Sequence, residues 1–96
     1  MTPEGKLKKD CRDIAKKRKL IFWNIDGKGI NGVPDTVVGL MGRRGVAFVE
    51  FKREDGKGVI SVQQHRRHDD LISAGAEAHF VSSIGEYLDI IEGRTL

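Results

Sequence analysis

Three ionisable residues stand where the sequence predicts two neighbouring β-strands: Asp35, Glu50 and Lys52. Asp35 precedes an apolar run over residues 36–40, and Glu50 and Lys52 close a second run that begins at residue 46. Isolated charges are rarely buried in strands unless they are paired or bind a metal, because removing a carboxylate from water is costly. Two carboxylates and one ammonium group at this place therefore indicate a divalent-metal site that activates water for attack on a phosphodiester.

The strands that would bring these residues together form a hairpin. Residues 41–45 are of the types that favour tight turns, so the two apolar runs can pair antiparallel and bring Asp35 level with Glu50. Side chains alternate along a strand, which places Glu50 and Lys52 on one face. The alternative interpretation is an ordinary ion pair between Glu50 and Lys52 on a solvent-facing strand, worth about 0 to 1 kcal/mol.

Length and charge limit the kind of protein. The chain has 96 residues, which predicts a single domain over 1–96, and its 17 Lys and Arg against 14 Asp and Glu give a formal charge of +3. Eight of the basic residues and two of the acidic ones fall within 6–19. This imbalance favours an anionic partner such as nucleic acid, although a solvated helix face would have a similar composition.

Cysteine usage and hydropathy indicate a soluble protein of a reducing compartment. Cys11 is the single cysteine, so an intramolecular disulfide is excluded. No apolar run approaches the roughly 20 residues of a membrane span, and the basic start does not resemble a secretory signal. We therefore expect an intracellular, cytoplasmic protein.

The first half of the chain predicts a helix followed by three strands. Thr2 is a candidate N-cap, Glu4 lies in the first turn, and the helix should extend to about Arg18. Glu4 could be only a partner of the helix dipole, or it could contribute to the site. An aromatic and β-branched strand over 20–25 and a glycine-containing loop over 26–32 then lead to Asp35.

The second half predicts a helix, a strand and a helix. A polar turn over 53–58 precedes a capping box at Ser61, from which a helix should extend to about Ala74. A strand over 76–81 and a final helix follow, the latter with a second capping box formed by Ser83 and Glu86 and an apolar face over 84–91. The predicted fold class is α/β, with the order α-β-β-β-α-β-α and a mixed sheet flanked by helices.

Two histidines of the polar helix, His65 and His68, could share a helix face. The lack of a cysteine or a third histidine nearby argues against a zinc site. We expect both histidines to be surface residues or phosphate contacts.

The pattern Pro34-Asp35 followed by Glu50-Phe51-Lys52 resembles the signature of the PD-(D/E)XK nucleases. The chain from Thr2 to about Ile91 is similar to the virus-type replication-repair nuclease (VRR-NUC) domain of phage and bacterial proteins. The similarity includes Glu4 at the start of the first helix, Gly-Val-Pro-Asp over 32–35, and a Ser and a Gln that open a helix ending in Gly. Gln63 and Gln64 both follow Ser61, and the spacing to Leu71 and Gly75 favours Gln64.

The resemblance implies a restriction-endonuclease-like core and a set of site residues. Glu4, Asp35 and Glu50 would bind Mg²⁺ or Mn²⁺ together with the backbone carbonyl of Phe51. Asp35, Glu50, Lys52 and Gln64 would be the catalytic residues, with Lys52 orienting or activating water and Gln64 supporting the site from the facing helix.

The resemblance also implies a substrate and a partner. Small phage members of the family resemble homodimers that resolve four-way (Holliday) DNA junctions, and twofold symmetry in a dimer suits twofold symmetry in a junction. The alternatives are a monomeric flap or nicking endonuclease and a basic DNA-binding module without catalysis. Pairing of two chains could use the first strand (Phe22, Trp23 and Ile25) or the final helix (Leu88 and Ile91).

Overall fold

The computed structural model describes residues 2–25, 29–53 and 59–94, without the side chain of Arg43. Parts of the predicted glycine loop (26–28) and of the predicted polar turn (54–58) lie outside the described residues. The helices are α1 (Pro3–Arg18), α2 (Val62–Ser73) and α3 (Ile84–Glu92). The strands are β1 (Phe22–Asn24), β2 (Thr36–Gly39), β3 (Val46–Phe51) and β4 (Glu77–Val81), with one short 3₁₀ turn at Met41–Arg43.

The four strands form one mixed sheet in the order β1-β2-β3-β4. β1 pairs antiparallel with β2, and β2 pairs antiparallel with β3. β4 pairs parallel with β3, and α2 makes the crossover between them. The predicted fold class and the predicted order of elements are confirmed.

Helix α1 begins and ends where its sequence predicts. Thr2 accepts a hydrogen bond from the Gly5 backbone N–H at 3.0 Å, and Pro3 occupies the first helical position. Lys19 ends the helix in a left-handed conformation with φ 58°. The buried stripe consists of Leu7, Cys11 and Ala15, so the remaining sides of α1 are free to carry polar groups.

One face of the sheet carries the core and is covered by α1 and α3. The Phe22 ring lies 5.8 Å from the Phe51 ring and 6.2 Å from the Tyr87 ring, which joins β1, β3 and α3. The core also contains Leu7, Val49 and Ile91, each with 0% of its surface exposed. α2 packs on the opposite face, against β4.

Two local predictions are corrected by the structure. β1 is shorter than the predicted 20–25, and Trp23, at the middle of this edge strand, is 61% exposed. Ser83 caps α3 by accepting from the Glu86 N–H, but Glu86 does not return the bond to Ser83. Its carboxylate instead accepts from the backbone N–H and the hydroxyl of Ser82, one residue earlier.

Within the described residues, no helix combines the length and the apolar character that crossing a membrane requires.

Candidate active site

Asp35 and Glu50 meet across the β2–β3 hairpin. Thr36 pairs with Val49, so the antiparallel register, continued by one residue, places Asp35 opposite Glu50. Glu50 is only 8% exposed, whereas a solvent-facing ion pair with Lys52 would leave it in water. The structure therefore contradicts the alternative in which Glu50 and Lys52 form an ordinary surface ion pair.

Gln64 of α2 connects Glu50 with Lys52. Its Nε2 donates to Glu50 Oε1 at 3.2 Å, and its Oε1 accepts from Lys52 Nζ at 2.8 Å. Lys52 Nζ also donates to the backbone carbonyl of Val59 at 3.1 Å. The amide of Gln64 thus fixes the separation of a carboxylate and an ammonium group at the end of β3.

The position of Gln64 follows from the cap of α2. Ser61 Oγ accepts from the Gln64 backbone N–H at 3.1 Å, and Gln64 Oε1 accepts from the Ser61 backbone N–H at 3.0 Å. This is the predicted capping box. Gln63 is exposed, so the structure brings Gln64, and not Gln63, to the site.

Gly32 fixes the distance between the loop before Asp35 and the first turn of α2. Its φ is +88°, and a Cβ at this position would overlap the backbone of Gln63 and lie 2.7 Å from the Gln64 nitrogen. The loop can therefore lie against the helix backbone only because residue 32 has no side chain. Gly32 is part of the sequence motif that precedes Asp35, but its role in positioning Gln64 requires the tertiary contact.

Lys8 lies at the candidate site, although the sequence did not single it out. Its Nζ lies 3.2 Å from Asp35 Oδ2, and Thr36 Oγ1 donates to the other carboxylate oxygen at 2.9 Å. Lys8 follows Glu4 by four residues and so lies on the same side of α1. That spacing is the signal in the sequence, but the same helix contains six other basic residues.

Glu4 and Phe51 occupy the same end of the sheet. Glu4 lies in the first turn of α1 and is half-buried, close enough to Glu50 for its charge to act on that carboxyl. Phe51 is the last residue of β3, and its side chain is 1% exposed in the core. Only its backbone is therefore available to a ligand.

The environment of Glu50 disfavours its charged form. Burial is the largest cause that raises its pKa, and the nearby carboxylates of Asp35 and Glu4 act in the same direction, so that the pKa is about 7. The ammonium groups of Lys52 and Lys8 lower the pKa and only partly compensate. A bound cation at this place would remove the repulsion between the carboxylates.

The donor set fits a hard divalent cation. Carboxylate and carbonyl oxygens are the ligands that Mg²⁺ and Mn²⁺ prefer, and Asp35, Glu50 and the Phe51 carbonyl supply them. Among residues 2–25, 29–53 and 59–94, no three His, Cys, Asp or Glu side chains are already gathered in a metal-binding arrangement. Asp35 instead faces Lys8, so a metal at Asp35 would have to displace the Lys8 ammonium group.

His68 differs from its prediction as a surface residue. It is 5% exposed, and its ring stacks on Phe80 with centroids 3.8 Å apart and an interplanar angle of 10°. His65 contacts the same Phe80 ring edge-on at 5.5 Å. The polar helix α2 therefore packs on β4 through imidazole rings. The spacing of large aliphatic residues in the sequence does not predict this contact, because histidines make it.

Comparison with solved structures gives a match over almost the whole chain. A structure described as a VRR_NUC domain superposes with a TM-score of 0.81 and covers 99% of this chain and 100% of that chain, at 24% sequence identity. No protein-family model matches the sequence, and no curated protein matches it. The chain therefore has the fold of a VRR_NUC domain.

Proposed function

We propose that this protein is a Mg²⁺- or Mn²⁺-dependent DNA endonuclease that resolves four-way junctions as a homodimer. The observation that carries the proposal is the hydrogen-bonded row of Glu50, Gln64 and Lys52 beside Asp35. Together with Asp35, this row gives two carboxylates and an ammonium group at one end of the sheet in a protein with the fold of a VRR_NUC domain.

The two carboxylates would hold the metal. Asp35 and Glu50 would bind it together with the Phe51 carbonyl, and Glu4 would add a carboxylate from α1. When bound, the ion lowers the pKa of a water molecule and neutralises charge on the phosphate. Glu50 must be ionised to bind the metal. Because its pKa is about 7, a part of the molecules carries a protonated Glu50 near neutral pH, and binding of the cation would favour loss of this proton.

Lys52 would act on the attacking water and on the phosphate. Its ammonium group is held by the Gln64 amide oxygen and the Val59 carbonyl, so it is presented as a hydrogen-bond donor at a defined position. There it would orient the water and stabilise negative charge that develops on the phosphate oxygens. Attack of the water oxygen on phosphorus would break the bond between phosphorus and the 3′ oxygen, which takes up a proton. The products would be a 5′-phosphate and a 3′-hydroxyl.

Gln64 would be a positioning residue in this scheme. It touches both Glu50 and Lys52, and its own orientation is set by the Ser61 cap and by the close approach of Gly32. An amide is suited to this place because it donates to a carboxylate and accepts from an ammonium group at once.

A homodimer is proposed because one site makes one cut, whereas a junction requires two symmetric cuts. The exposed residues of the β1 edge, Trp23 at 61% and Ile21 at 37%, support pairing through this edge strand. Two of the candidate interface residues are not available, because Phe22 packs against Phe51 and Ile91 is fully buried. We therefore propose the β1 edge, and not α3, as the dimer contact.

The test compares synthetic four-way junctions, flaps and plain duplexes with Mg²⁺ and with EDTA. We expect metal-dependent, paired cuts in the junction, lost in both Asp35→Asn and Glu50→Gln. Junction binding should be retained or slightly tighter in both variants, since a negative charge leaves a phosphate-binding surface. A near wild-type cleavage rate in either variant would show that the site is wrong.

The alternatives have their own outcomes in the same assay. A monomeric flap or nicking enzyme would prefer flaps and give the monomer mass in light scattering, whereas we expect about twice that mass at micromolar protein. A basic DNA-binding module would bind the junctions and cut none of them with Mg²⁺ or Mn²⁺.

A further inference from the structure

A cavity of about 240 Å³ lies directly beside Lys52. β3 and β4 are parallel and both end at this side of the sheet, and α2 and α3 begin here. The cavity lies between the starts of these two helices, and its walls include Ile60, Phe80, Ser82 and Glu86, with Lys52 and Arg53 as the basic residues. In the proposed endonuclease, a DNA strand that runs from Asp35 and Glu50 toward Lys52 would meet this cavity next.

We propose that the cavity binds one nucleobase, that of the nucleotide adjacent to the scissile phosphate on the Lys52 side. The inference rests on the proposed endonuclease function and adds to it a subsite for an unpaired base.

The walls of the cavity suit a base in two ways. Ile60 and Phe80 present apolar surface, and Phe80 is held in one orientation by the stacked His68 ring at 3.8 Å and the His65 ring at 5.5 Å. Bases stack on aromatic side chains regardless of their identity, which supplies affinity without a sequence requirement. The Phe80 ring is therefore a fixed apolar part of the cavity wall.

One polar group of the cavity, the Glu86 carboxylate, favours a base over a phosphate. Glu86 Oε1 is fixed by the Ser82 N–H and the Ser82 hydroxyl, both at 2.7 Å. A fixed carboxylate repels a phosphate but accepts hydrogen bonds from the exocyclic amino groups of adenine, cytosine or guanine. The two basic residues, Lys52 and Arg53, carry the charge that suits the flanking phosphates.

The size of the cavity limits the ligand to one base. At about 30 Å³ per water molecule, a volume of 240 Å³ corresponds to roughly eight waters. This volume is below the range of about 300 to 1,000 Å³ for pockets that bind drug-sized ligands. A single base in this cavity would have left its stack with the neighbouring bases. Unstacking is least costly where pairing is already interrupted, as at the crossover of a junction. The cavity thereby couples cleavage to branched DNA.

The test uses four-way junctions that carry 2-aminopurine at each nucleotide near the crossover in turn, bound in EDTA so that no cleavage occurs. Entry of the base into the cavity should raise its fluorescence severalfold at one position. Ile60→Phe, which fills the cavity, should abolish the rise. The matched control is Val62→Phe, two residues later, where the residue is 70% exposed and the rise should persist. Circular dichroism of both variants checks that they fold.

A second measurement separates a base subsite from a phosphate contact. An abasic site at the responsive position should weaken wild-type binding by between about fivefold and a hundredfold and leave binding by Ile60→Phe unchanged. Glu86→Gln, which keeps the acceptor for Ser82, should reduce any preference for adenine over thymine at that position. If Ile60→Phe weakens normal and abasic junctions equally, or if no position responds, the base subsite is refuted.

The binding measurements do not depend on catalysis. If a base enters the cavity but the protein never cuts DNA with Mg²⁺, the proposed endonuclease function is refuted and the proposed base subsite stands. A protein that cuts junctions without a fluorescence response would refute the subsite alone.

Discussion

Lys8 Nζ lies 3.2 Å from Asp35 Oδ2, so a residue of α1 neutralises the carboxylate that the proposed metal needs. Lys8→Gln removes this competing cation, and we expect the Mg²⁺ concentration for half-maximal binding to fall about three- to tenfold, a change of about 1 kcal/mol. Titration calorimetry with Mg²⁺ or Mn²⁺ measures the affinity without reference to activity. Lys9→Gln is the matched control, since Lys9 pairs with Asp13 on another side of α1. An unchanged metal affinity in Lys8→Gln would mean that Asp35 is not a ligand.

The raised pKa of Glu50 predicts a pH-dependent gain of stability in Glu50→Gln. A carboxyl whose pKa rises from 4.5 to about 7 on folding contributes stability below pH 4.5 and loses it as the pH rises through 7. In EDTA, Glu50→Gln should therefore be about 1 to 3 kcal/mol more stable than the wild type at pH 8 and nearly equal to it at pH 4.5. Guanidinium unfolding of both proteins at both pH values gives the difference. A difference that does not vary with pH would argue against a buried, proton-binding Glu50.

At pH 8, added Mg²⁺ should make the wild type more stable than Glu50→Gln. A cation that binds only the folded wild type stabilises it by mass action, whereas the amide of Glu50→Gln is a poor ligand. Thermal melting with increasing Mg²⁺ should raise the midpoint of the wild type and change that of Glu50→Gln little.

Gly32→Ala should impair the site through Gln64. The added methyl group would collide with the backbone of α2 at Gln63 and Gln64, so the first turn of the helix must shift. We expect at least a tenfold fall in the cleavage rate, about 1.4 kcal/mol in the barrier. Gly29→Ala is the control: Gly29 also has a positive φ, +83°, but nothing lies within 4 Å of a Cβ there. Both variants carry a similar backbone strain of about 1 to 2 kcal/mol, so equal loss of activity in the two would exclude the positioning role.

Glu4→Gln distinguishes a metal ligand from a partner of the helix dipole. A ligand should lower the cleavage rate at least about tenfold with little change in folding stability. A dipole partner would cost only about 0.3 to 1 kcal/mol of stability and leave the rate unchanged. Thermal melting and initial rates measured on the same sample give both values.

Local sequence determined the elements and their ends. The side chains of Thr2 and Ser61 accept hydrogen bonds from backbone N–H groups in the first turns of α1 and α2, and Pro3 has no N–H group to satisfy. These residues therefore mark the helix starts without reference to the rest of the chain. The alternation within β3 and the turn residues before it likewise predict that Asp35 and Glu50 lie opposite each other. These features depend on neighbours in the chain, and neighbours are visible in a sequence.

Tertiary structure decided which of several equivalent residues form the site. Eight basic residues lie within 6–19, and only the packing of α1 beside the hairpin selects Lys8 for Asp35. His68 is buried because β4 presents the Phe80 ring at that place, although the helix pattern alone would leave it in water. The requirement for glycine at position 32 is another example. It arises because the backbone of a helix some 30 residues later in the chain leaves no room for a side chain. Contacts between distant segments depend on how faces pack, and periodicity specifies the faces but not their partners.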